Sequence, residues 1–127
     1  MTTLTVEWSG AAVGVNQWLT INRQRQRLHV RKLYKDFVAM LSLQIAAENP
    51  GVRFRGQVTV SYTQVIHPRR DVDSLTKPVL DAIERSGVVP NDVRVRGPLH
   101  VTTVDKQRGG ADALKIVIAD YEPMDAR

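Results

Sequence analysis

Between Phe54 and Tyr62 the apolar residues Phe54, Val58, Val60 and Tyr62 fall on one parity, while Arg53, Arg55, Gln57, Thr59 and Ser61 fall on the other. Only a strand sends alternate side chains to opposite faces, so this stretch predicts a strand with one apolar and one wet face. An apolar sheet face needs a cover, and two segments offer one. Leu33, Phe37, Met40, Leu41, Gln44 and Ile45 recur at helical spacing from about Arg31, and Asn49-Pro50-Gly51 supplies a stop. They predict a core-packed helix of about 17 residues. Leu75, Val79, Ala82 and Ile83 repeat that period, with Ser86-Gly87 as the carboxy-terminal cap. Pro78 has no N–H, and its ring opposes the carbonyl four residues back, so this second helix is expected to start near Asp73 or Ser74.

Leu4, Val6 and Trp8 alternate with Thr3, Thr5 and Glu7 and predict another strand. Val93 to Thr103, broken by Gly97-Pro98, and Leu114 to Ala119 suggest two more, with Lys106 to Gly110 as the turn between them. Gly10 to Trp18 reads as a loop. The polar, basic stretch Asn22 to Gln26, between Leu19-Thr20-Ile21 and Leu28-His29-Val30, reads as a hairpin tip or a mobile loop. The expected fold class is α+β: one domain over residues 1–127, with a small mixed, largely antiparallel sheet, two main helices and a frayed tail from about residue 122. A chain of this length buries roughly two thirds of its unfolded surface. It has no cysteine, which removes disulfides, thiolate zinc sites and cysteine nucleophiles. With no basic, apolar leader and no stretch near the roughly 20 apolar residues that span a bilayer, a cytoplasmic, soluble protein is expected.

Charge narrows the partners. The net charge is +5, and from Asn16 to Lys35 there are six basic residues, Arg23, Arg25, Arg27, Arg31, Lys32 and Lys35, and no acidic one. Such an excess suits a polyanion, of which nucleic acid is the commonest large one. A solvated face on an ordinary basic protein accounts for it equally well.

The segment Arg69 to Asp92, RRDVDSLTKPVLDAIERSGVVPND, holds the chemistry. Gathered carboxylates repel one another unless a cation or basic group holds them together. If Arg69 to Asp73 is extended, Asp71 and Asp73 point to the same side, about 7 Å apart. So placed they suit a hard cation such as magnesium, which takes oxygen ligands and keeps several waters. Asp92, returning after the helix, would complete a three-carboxylate site for phosphodiester hydrolysis. Lys77 would orient the attacking water or neutralise charge on the phosphate, and Arg69 and Arg70 would seat neighbouring phosphates. Each residue also has a plainer role. Asp73 or Ser74 caps the helix, Asp92 is a turn residue, and Lys77 pairs with Asp81 at i, i+4 for a few tenths of a kcal/mol. Two other motifs fail on spacing. The nucleophilic aspartate of a haloacid dehalogenase-type phosphatase directly follows an apolar strand, but here His67-Pro68-Arg69-Arg70 intervenes. An EF-hand loop would need glycine where Thr76 stands and a carboxylate where Ala82 stands.

Arg70-Asp71-Val72-Asp73-Ser74-Leu75-Thr76-Lys77, followed by Asp81-Ala82-Ile83, Gly87 and Asn91-Asp92-Val93, resembles the RusA-type Holliday junction endodeoxyribonucleases, small proteins common in bacteria and their prophages. Their pattern runs R-D-x-D-N-L-x-K, D-A-L, G and D-D at the same spacings, and the match covers about 25 residues, with weaker support from Asn16. The resemblance implies a RusA-like fold and a magnesium- or manganese-dependent homodimer that nicks opposing strands of a four-way DNA junction. Asp71, Asp73 and Asp92 would then be metal ligands, Lys77 a catalytic lysine, and Arg70 and Arg69 DNA contacts. Two symmetric active sites suit a two-fold symmetric junction. Ser74 replaces the family's asparagine, Asn91 its first aspartate, and Gly10 to Gly14 its proline-rich turn.

His29, His67 and His100 show no ligand spacing, although His67 adjoins the acidic segment. Trp8 is expected in the core. Trp18 is expected to pack, with base stacking as its other use. The leading expectation is a structure-selective DNA endonuclease. The competing one is a non-catalytic nucleic-acid-binding protein in which Arg23, Arg25 and Arg27 grip phosphates and the carboxylates brace a helix.

Overall fold

In the computed structural model, which describes residues 3–14, 24–90, 95–96 and 99–121 and omits the side chains of 24–31, the chain runs β1 (Thr3–Ser9), α1 (Gln24–Glu48), β2 (Val58–Ile66), α2 (Thr76–Ser86), β3 (His100–Asp105) and β4 (Ala113–Asp120). The strands form one sheet in the order β1-β4-β2-β3, with β4 antiparallel to β1 and β2, and β3 parallel to β2. This is the expected α+β class, with a mixed and largely antiparallel sheet. No helix among the described residues is long and apolar enough to cross a membrane.

Alternation builds the core. Leu4 pairs with Ile118 and Val6 with Ile116, while Val60 and Tyr62 flank the same two residues from the other side. All are buried, and they form one cluster with Phe37, Val38, Leu41 and Ile45 of α1 and Val79, Ala82 and Ile83 of α2. Each large aliphatic in it contributes about 1.5–3 kcal/mol by leaving water. Trp8 is partly buried and meets Phe37 edge to face at 5.5 Å, consistent with its expected core role.

Several sequence expectations need correction. Helix α1 begins at Gln24, seven residues before Arg31, so residues 24–30 are helical and form neither a hairpin tip nor a strand. Gln and Arg are good helix formers, and no Gly or Pro interrupts them. Leu33 and Met40 are 41% and 57% exposed, because Phe37, Val38, Leu41 and Ile45 form a narrower inward stripe. Strand β2 starts at Val58. Phe54 is buried as its parity requires, but its N–H donates to the Val88 carbonyl at 2.8 Å, so it belongs to the exit of α2. Helix α2 starts at Thr76, after a turn that holds Asp73 and Ser74. Pro78 lies in its first turn, where no intrahelical partner for an N–H is missed. Gly87 caps it as expected, at φ 84° with its N–H on the Glu84 carbonyl. Val95 makes a single parallel bridge to Val58 before β3 begins at His100.

Because β2 lies between β3 and β4, the turn from Lys106 to Gly110 must pass the carboxy-terminal end of β2. The Lys106 N–H donates to the Ile66 carbonyl at 2.7 Å there. The strand directions gather the segments that follow β1, β2 and β3 at one end of the sheet, and the acidic segment is among them.

Candidate functional site

The chain after β2 leaves the sheet through successive turns. The Arg70 N–H donates to the His67 carbonyl at 2.9 Å, the Ser74 N–H to Asp71 at 3.1 Å and the Thr76 N–H to Asp73 at 3.2 Å. Asp71 and Asp73 therefore do not lie on an extended strand, and alternation does not set their directions. The main chain past Ile66 has left the ladder and satisfies its polar groups locally. Both side chains are exposed.

This loop is held from beneath. Gln64, fully buried on the core face of β2, donates through Nε2 to the Val72 carbonyl at 2.7 Å and to Thr103 Oγ1 at 2.9 Å. The carbonyl it grips lies between the two aspartates. From the side, Gly14 packs against Ser74 so closely that a Cβ on it would overlap the Ser74 carbonyl oxygen. Glycine is required there by close approach.

Asp112, immediately before β4, ties three segments together. Its carboxylate accepts from the Ala12 N–H at 3.0 Å, from Arg70 Nη1 at 3.2 Å and from Lys106 Nζ at 3.0 Å. Two cations thus share one nearly buried carboxylate, and Arg70 turns inward against it.

Helix α2 carries the rest. Lys77 Nζ lies 3.4 Å from Asp81 Oδ1, and the Tyr34 hydroxyl of α1 donates to Asp81 Oδ2 at 2.9 Å. Burial pushes the Tyr34 hydroxyl well above the ordinary phenol range, with its hydrogen bond to Asp81 and that carboxylate's charge adding to the shift. The buried Tyr62 hydroxyl lies 2.8 Å from Thr76 Oγ1. Desolvation raises its pKa, the Thr76 hydrogen bond opposes the rise, and the negative charge of Asp73 adds to it. Asp73 therefore projects its field toward the first turn of α2.

Asp71, Asp73, Lys77, Arg69 and Arg70 all lie on the acidic loop or the start of α2. Asp92, Asn16, Arg23 and Trp18 fall outside the described residues, as does the tail from 122. Arg25 and Arg27 lie on the first turn of α1, and their side chains are likewise outside the description. Among the described residues, no three His, Asp or Glu side chains gather closely enough to hold a metal. In donor type, Asp71 and Asp73 fit a hard divalent ion. Sequence reasoning missed Gln64, Lys106 and Asp112. Gln64 had a usable signal, because it is a polar residue on the apolar parity of a strand.

No family model matches this chain, and no curated protein matches it.

Proposed function

We propose that this protein is a magnesium-dependent, structure-selective DNA endonuclease, with manganese as a possible substitute. It would act as a homodimer on four-way junctions, nicking two opposing strands in the cytoplasm. The substrate and the dimer come from the sequence resemblance. The observation that carries the chemistry is the acidic loop, whose backbone is gripped at Val72 by buried Gln64 while Asp71 and Asp73 remain exposed. Exposed carboxylates on a backbone fixed from below are a preorganised oxygen-donor site.

Asp71 and Asp73 would hold the cation, with Asp92 as the third ligand by resemblance. A bound divalent ion supplies Lewis-acid polarisation of the phosphate. Lys77 is exposed, and its 3.4 Å pair with Asp81 is worth little in water, so its ammonium is available to a developing phosphate charge. Arg69 is exposed and would seat a flanking phosphate. Arg70 would act through the fold, because its guanidinium is committed to Asp112.

The Lys77–Asp81 pair favours the competing reading of a non-catalytic nucleic-acid-binding protein, since it gives Lys77 a structural use. Nicking of a synthetic four-way junction by the wild type, with magnesium and with chelator, separates the two, and Asp73→Asn tests the ligand assignment. The expected variant binds a synthetic four-way junction like the wild type and no longer nicks it with magnesium. Normal nicking by this variant would remove Asp73 from the site.

A further inference from the structure

At the end of the sheet that carries the acidic loop, a cleft of about 540 Å³ lies between His67-Pro68 and the Lys106–Gly110 turn. Its lining is basic. Lys106 leans on Asp112, which Arg70 already neutralises. Arg108 at the tip of the turn is exposed and makes no ion pair with the described residues. Gly109 reverses the chain at φ 79°, a left-handed conformation that keeps the tip narrow. On the opposite wall the Arg69 N–H donates to His67 Nδ1 at 3.1 Å. With Nδ1 taken as the acceptor, Nε2 is the ring nitrogen left to donate into the cleft. The cleft thus pairs a guanidinium with an imidazole N–H, two groups suited to phosphate oxygens.

We propose that His67 and Arg108 bind a backbone phosphate of the nucleic-acid strand that enters the acidic loop. This rests on the nucleic-acid reading above and extends the contact surface to the β3–β4 turn, which the sequence motif does not include. Arg70, anchored to Asp112, would brace this cleft from behind while Arg108 makes the contact.

The test is binding of a labelled four-way junction across a salt series, with chelator present so that nothing is cut. Arg108→Ala is expected to bind several-fold more weakly and to lower the salt slope by about one, the share of one released counterion. Arg108→Lys is expected to restore the slope, and His67→Ala to weaken binding. Arg55→Ala removes the same charge from an exposed site at the other end of β2 and serves as the control. Unaltered unfolding midpoints will show that the variants are folded. The site is overturned if Arg108→Ala loses no more affinity than Arg55→Ala, or if the wild type does not bind the junction. Nicking is read separately with magnesium. Its absence, with the binding pattern intact, ends the nuclease reading and leaves this site standing.

Discussion

Asp112→Ala should be among the most damaging single changes at the site, and the structure sets its size. The Asp112 side chain is 10% exposed, that of Arg70 15% and that of Lys106 26%. Removing the carboxylate takes an ion-pair partner from two partly desolvated cations and leaves the Ala12 N–H without its acceptor. Breaking a buried ion pair by deleting one partner costs about 3–5 kcal/mol. An unsatisfied buried N–H costs about 1–3 kcal/mol. Lys106 can swing partly into water, so the combined loss is expected at about 4–5 kcal/mol, the lower part of that sum. Asp112→Asn keeps an oxygen for Ala12 but loses the charge, and should cost about 1–3 kcal/mol. Urea unfolding followed by circular dichroism measures both. A double-mutant cycle with Arg70→Ala should give a coupling of about 0.5–3 kcal/mol, because the two side chains touch. An Asp112→Ala loss below about 1 kcal/mol, or strict additivity with Arg70→Ala, would refute the clamp.

Two further outcomes follow from the same geometry. Gln64→Leu keeps the volume but removes the donor to Val72, so nicking should need more magnesium while junction binding under chelator stays unchanged. An unaltered magnesium requirement would show that Gln64 does not position the loop. Burial raises the Tyr62 pKa above that of the unfolded chain, so its contribution is fully present below about pH 10 and is lost as pH climbs through the raised value. The wild type should therefore lose stability above about pH 10, with at most about 1.4 kcal/mol per pH unit from this group, and Tyr62→Phe should show a flatter decline. Equal slopes in urea midpoints would contradict the assignment.

The alternation at Phe54 to Tyr62 revealed the core face because burial parity is a local property, and Gly87 revealed the end of α2 because left-handed caps favour glycine. The start of β2 was misplaced for an equally physical reason: Phe54 keeps its parity while its N–H bonds the exit of α2. Parity reports which face is buried and says nothing about which partner takes the hydrogen bond. Helix α1 was read seven residues short because Gln24 to Arg27 carry no apolar residue to mark the helical period. At the site, the motif from Arg70 to Lys77 was legible, but its support was not. Asp112 lies 42 residues from Arg70, and the two meet only because β4 returns beside β2. Their opposite charges carry no register in the sequence. The extended geometry assumed for Asp71 and Asp73 failed because turns satisfy the main chain there, while two oxygen donors on one loop did not depend on it.

The most direct measurement is the cutting of a synthetic four-way junction by the purified wild-type protein, with magnesium and with chelator. The account predicts paired nicks on opposing strands that require the metal. Tight, salt-sensitive binding without any metal-dependent nick would contradict it and leave a nucleic-acid-binding protein whose carboxylates only shape a loop.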